Sequence, residues 1–196
     1  MESSGRKAQA ARNDELILEA AREVYIANPD APSALYRRYP SKEALLQELC
    51  ADGLRRYTAA AESAVADGGD AWQAFASFMR RVVSADAASL TQKLAGTFEP
   101  SDDLYRSAAY AGRLNEQVFD RAQRAGVIRP DAEVTDLGLI FEQLASIRIG
   151  DRERTHELRR RYLALALDGL RAQQHDPLPG PAPTSEELTS RWSPNR

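Results

Sequence analysis

Apolar side chains recur three and four residues apart along most of the chain, the spacing that gathers them on one face of a helix. Leu16, Ala20 and Val24, with Ile17, Ala21 and Tyr25 beside them, make the first such stripe. Asn13 precedes it as a capping residue, and Asp14 and Glu15 put negative charge in the first turn. A helix is therefore predicted over 13–27, stopped by Asn28 and Pro29. A short helix over 33–39 closes at Pro40. Ser41 then caps a long helix with the stripe Leu45, Leu46, Leu49, Cys50, Leu54, Tyr57, Ala61 and Val65, ended by Gly68 and Gly69. Further helices are predicted over 70–85, 86–95, 101–125, 133–149 and 152–173, with Gly126 and Gly150 as stops. No run of β-branched alternation between hairpin turns interrupts them. The expected fold class is all-α.

The last residues differ in kind. Five of the ten prolines stand at Pro177, Pro179, Pro181, Pro183 and Pro194, so 174–196 reads as an extended or disordered tail. Trp192 is the one feature there that a plain spacer does not need.

Composition adds bounds. The chain has 196 residues, 43% hydrophobic and 28% charged, with a net charge of −3, enough to bury a core and too apolar for a disordered polyelectrolyte. No apolar run approaches the roughly 20 residues of a membrane span, so no membrane partner is expected. The polar stretch 1–11 lacks the apolar centre of a secretory leader. One cysteine cannot form an intrachain disulfide, which fits the cytoplasm.

Charge is unevenly placed. Between Ala31 and Lys42 stand Arg37, Arg38 and Lys42 with no acid among them, in a chain acidic as a whole, and Tyr36 adds a hydroxyl. A short basic helix leading into a capped helix start suits phosphate, because backbone N–H groups there point outward. On spacing alone the cluster also fits a solvated helix face.

The string ALYRRYPSKEALL, preceded by LILEAAREVY, resembles the N-terminal domain of the tetracycline-repressor (TetR) family of bacterial transcription regulators. The resemblance runs over 13–49. It continues more loosely through LNEQVFDRAQRAGVIRPD and DLGLIFEQL, similar to the family's C-terminal half. It implies a helix-turn-helix whose second helix enters the major groove of operator DNA. By position, Tyr36 and Lys42 would grip phosphates, and Ser33, Ala34, Arg37 and Arg38 would lie along or beside the groove. Either arginine could take guanine O6 and N7 together, or both could contact phosphate only.

One departure stands inside the motif. Only Asn28, Pro29, Asp30, Ala31 and Pro32 separate Ala27 from Ser33, where the family has a turn, a helix and a second turn. Five residues reach at most about 18 Å and hold no helix. Either a segment is absent from this sequence or the chain has lost the supporting helix. The family character on both sides favours the absent segment.

The resemblance also implies a small-molecule effector in the middle of the chain, apolar or aromatic by default. Tyr57, Trp72, Phe75, Phe78, Met79, Phe98, Tyr105, Tyr110 and Phe119 are the candidate lining, and each also fits ordinary core. Arg80, Arg81 or Arg113 could instead recruit an anion. The last two long helices carry broad apolar stripes, and in the family they pack as a four-helix bundle in a homodimer. Leu137, Ile140, Phe141, Leu144, Tyr162, Ala166 and Leu170 are the candidate interface, with intrachain packing explaining part of either stripe.

Convergent catalytic groups are not found. His156 and His175 have no metal-ligand spacing, Cys50 falls on an apolar stripe, and no phosphate-cradling glycine loop occurs, so neither enzyme chemistry, metal nor cofactor is expected. The domains expected are a flexible arm over 1–12, the DNA-binding motif over 13–49, an effector and dimerisation region over 50–173, and the tail. The leading expectation is a ligand-responsive dimeric regulator, a repressor released by its effector. The competing one is a helical ligand-binding or interaction module that has lost DNA binding.

Overall fold

The computed structural model describes residues 39–87, 98–173 and 176–190. Among these, all regular structure is helical: α1 (Lys42–Ala66), α2 (Ala71–Ser84), α3 (Asp102–Arg124), α4 (Asp136–Ser146), α5 (Arg152–Leu170) and α6 (Ser185–Ser190). The helices predicted over 13–27 and 33–39, most of that over 86–95, and Trp192 lie outside the described residues.

Each long helix except α4 starts where a short polar side chain takes an orphaned backbone N–H. Ser41 accepts from Ala44 at 3.1 Å, Asp70 from Gln73 at 2.8 Å, Ser101 from Leu104 at 3.3 Å and Asp151 from Arg154 at 2.8 Å. The end of α1 has no basic residue of its own. Arg121 of α3 supplies the charge, donating to the carbonyls of Ala64, Asp67 and Gly69. That cap also ties α1 to α3, its principal packing partner.

Helix α2 is the centre. Trp72, Ala74, Phe75, Ala76, Phe78, Met79, Val82 and Val83 bury nearly its whole circumference against α1, α3, α4 and α5. Tyr57 of α1 meets Phe78 and Phe141 edge-on, with ring centroids 5.5 and 6.0 Å apart. A second, smaller cluster joins Leu45, Leu46, Leu49 and Cys50 of α1 to Phe98 and Leu104. Helix α1 runs through both clusters without a break, so the expected boundary at 49/50 falls inside a continuous helix.

Two helices end earlier than their apolar pattern. Helix α4 stops at Ser146 rather than near Ile149, because the Arg159 guanidinium takes the carbonyls of Ala145 (2.9 Å) and Ile147 (3.3 Å) in place of a further helical turn. Helix α5 stops at Leu170 because the chain turns extended and pairs antiparallel with 127–129. Arg129 N–H donates to Leu170 O, and Ala172 N–H to Val127 O, both at 3.0 Å.

The tail corrects a sequence expectation, since part of it is helix. Thr184 Oγ1 accepts from Glu187 N–H at 3.1 Å while the Glu187 carboxylate accepts from Thr184 N–H at 2.7 Å. This reciprocal cap starts α6 just after the last proline of the run.

Candidate functional site

Lys42 opens α1 and is exposed beside the Ser41 cap, with Tyr39 half-buried against the smaller cluster. The cation therefore stands at the N-terminal end of a 25-residue helix whose other flank is packed. The other expected DNA contacts, Ser33, Ala34, Tyr36, Arg37 and Arg38, lie outside the described residues, as does the shortened stretch 28–32.

Eight residues further along α1 a cavity opens. It has a volume of about 280 Å³ and is walled by Cys50 and Leu54 of α1, by Pro100, by Leu104, Tyr105 and Ala108 of α3, and by Leu188 and Thr189 of α6. The wall is almost wholly carbon, which suits an apolar guest. Burial pushes the Cys50 thiol up to about 12, so while it stays covered this sulfur behaves as a small apolar group rather than a nucleophile. Tyr57 lies one turn beyond Leu54 on the same face; burial raises its phenol far above the ordinary tyrosine value.

A second, more open groove of about 460 Å³ lies between the exposed sides of α1 and α3. Tyr110 donates to Glu62 across it at 2.9 Å, and this hydrogen bond is the main cause of the raised Tyr110 pKa. The Arg113 guanidinium sits 5.7 Å from the Tyr110 ring centroid, and Arg81 donates to Ser63 at 2.8 Å.

The structure distributes the candidate ligand residues between these places and the core. Tyr105 walls the apolar cavity and Tyr110 the open groove. Phe98 is buried in the smaller cluster. Trp72, Phe75, Phe78, Met79 and Phe119 are buried in the larger one, where Phe75 and Phe119 meet at 6.4 Å and Arg171 covers Trp72 at 4.5 Å. Cys50 and Leu54 are lining residues that the sequence did not single out. Their α1 stripe reads the same whether the neighbouring helix closes on it or leaves a gap.

Of the candidate interface residues, Leu137, Phe141, Leu144 and Leu170 are buried within the chain, and Ile140 and Ala166 are half-buried. Tyr162 is 50% exposed, and with Leu158, Leu165 and Gly169 it forms an outward stripe on α5 beside the inward stripe Arg159, Leu163, Leu167 and Leu170. Leu165, at 60% exposure, is an apolar side chain on that face and lies outside the set expected from sequence. Among the described residues, no group of three or more His, Cys, Asp or Glu could hold a metal ion, and no helix is long and apolar enough to cross a membrane.

A TetR C-terminal domain model, described as "Transcriptional regulator SbtR-like, C-terminal domain", matches residues 69–172, a span from α2 through α5 and more than half of the chain. The chain belongs to the TetR family of transcriptional regulators. A TetR transcription regulatory protein from Mycobacterium vanbaalenii is 25% identical, with a TM-score of 0.54, over 84% of this chain and 98% of that one. The TetR family regulator PfmR from Thermus thermophilus is 23% identical, with the same TM-score, over 79% of this chain and 98% of that one, and bears on the fold alone. No curated protein matches the chain. The all-α TetR fold expected from the N-terminal motif is thus reached independently through the C-terminal half.

Proposed function

We propose that this TetR-family regulator is a cytoplasmic, non-enzymatic homodimer that binds operator DNA and is released from it by a small apolar effector. One observation carries the reading. The exposed Lys42 and the apolar cavity share a single helix, with Cys50 about 12 Å along α1 from Lys42 at 1.5 Å per residue. A guest that parts α1 from α3 moves the phosphate-contacting end of the same rod, and so favours a spacing of the paired recognition helices that misfits the duplex. Lys42, with Tyr36, would hold phosphates, and Ser33, Ala34, Arg37 and Arg38 would face the groove. The outward stripe of α5 with the adjoining face of α4 would meet the same surfaces of a second copy, Tyr162 at its centre. The shortened stretch 28–32 favours a second reading, a ligand-binding module without DNA affinity.

Titration of the full chain against duplex DNA from its own upstream region, over a range of salt, separates the two. Saturable binding that weakens steeply with salt, with Lys42→Ala lowering the log–log slope by about one, supports the regulator. Absence of saturable binding leaves the module reading.

A further inference from the structure

The described part of the tail, 176–190, does not trail away from the body. At its start the Arg129 guanidinium, only 8% exposed, holds Asp131 through two hydrogen bonds of 2.6 and 3.0 Å and donates to the carbonyl of Asp176 at 2.8 Å. Asp131 in turn accepts from Leu178 N–H at 2.9 Å. This anchor sits past the C-terminal end of α3. Further along, the tail forms α6, whose Leu188 and Thr189 make one wall of the cavity beside the N-terminal part of α3. Leu188 also lies against α4, where a Cβ on Gly138 would meet its Cδ1 at 3.7 Å.

The intervening sequence is stiff but not straight. Residues 177–184 carry four prolines, which limit the freedom of this strap, with a bend at Gly180, whose φ is 75°. The reciprocal cap of Thr184 and Glu187 then turns the end of the strap into helix and delivers Leu188.

We infer that α6 is a built-in competitor for the apolar cavity: Leu188 forms part of its wall, and an apolar small molecule gains room there by displacing the strap. This rests on the cavity being the effector site, as proposed above. The strap then sets an affinity threshold, since ligand binding is weakened by the fraction of time α6 is seated.

Cys50 is the only cysteine and lies in the cavity wall, so its labelling reports the seal directly. In the full-length protein, the rate of Cys50 modification by a neutral maleimide and the affinity for the apolar fluorophore N-phenyl-1-naphthylamine are measured together. Leu188→Asp is expected to raise both about tenfold, the scale of removing one half-buried leucine contact that holds a local opening shut. Thr184→Ala, which weakens the cap of α6 without touching the cavity, should move both in the same direction, and Leu188→Met should move neither. Unchanged labelling with a fluorophore that binds wild type and Leu188→Asp equally overturns the strap. A fluorophore that binds neither protein while labelling still rises overturns the competition through its premise, the cavity as a ligand site, and leaves the seal itself observed.

Discussion

The guanidinium of Arg159 on α5 reaches the carboxylate of Asp86, just past the end of α2, at 2.5 Å. Arg159 is 4% exposed, and its Nε and Nη2 also donate to the carbonyls of Ile147 and Ala145. One side chain therefore joins the ends of α2 and α4 to the middle of α5. Asp86 holds a left-handed backbone with φ of 51°, a conformation that Asp and Asn tolerate better than most residues.

Removing Arg159 takes one guanidinium away from Asp86 and from two carbonyls at once. Arg159→Met is expected to destabilise the fold by about 3 kcal/mol in urea or guanidinium unfolding, whereas Asp86→Asn, which keeps the backbone preference and loses only the charge, should cost less. The double variant should be less destabilised than the sum of the two, because both single variants lose the same ion pair. Strictly additive costs would mean that the two residues act independently.

The strap anchor makes a prediction about acid. The Arg129 guanidinium beside Asp131, helped by the N–H of Leu178, holds that carboxyl well below the usual carboxylate range. A depressed folded-state pKa stabilises above the unfolded value, near 4, and the contribution is lost as pH falls through the native value. Protection of the Leu178 amide against hydrogen exchange, corrected for intrinsic rate, should thus be flat from pH 7 to about 4 and fall only below that. Asp131→Asn should remove the acid dependence and lower the protection at neutral pH.

Tyr57 separates ring from hydroxyl. The ring is held edge-on by Phe78 and Phe141, while the hydroxyl has no hydrogen-bond partner among the described residues. Tyr57→Phe is expected to change stability by no more than about 0.5 kcal/mol, and Tyr57→Ala to cost about 4 kcal/mol. Absorbance titration should find one tyrosine still un-ionised when exposed phenols have lost their protons, with Tyr57→Phe removing that late step.

Gly126 ends α3 with φ of 66°, donating its N–H to Gln123 O while Val127 donates to Ala122 O. Nothing crowds a Cβ there, so the backbone preference acts alone. Gly126→Ala should lower stability by about 1 kcal/mol, measured by thermal unfolding, and Gly126→Asn by less.

Helix starts were legible because they depend on local chemistry. The serine at 41 and the aspartate at 70 stand immediately before apolar stripes and cap in the structure. The ends of α4 and α5 were not, because they are decided by partners distant in sequence: Arg159 for one, the stretch 127–129 for the other. Helix α6 did leave a signal, a threonine followed three residues later by a glutamate, hidden by the prolines around it. The cavity left none. Tyr105 stood out for its aromatic ring, but Cys50 and Leu54 share one stripe with Leu46 and Leu49, and only the divergence of α1 from α3 tells a wall from a packed seam.

In the proposed release mechanism the unbroken α1 would act as a lever. Arg121 clamps the carbonyls at its C-terminal end, which makes that end the fulcrum. Lys42 stands 22 residues from Ala64, about 33 Å of helix, so a tilt of about 5° at the fulcrum would sweep its Cα through about 2.9 Å. A displacement at Cys50 too small to disturb the core packing is thereby magnified at the tip by the ratio of the two arms, without any joint along the way.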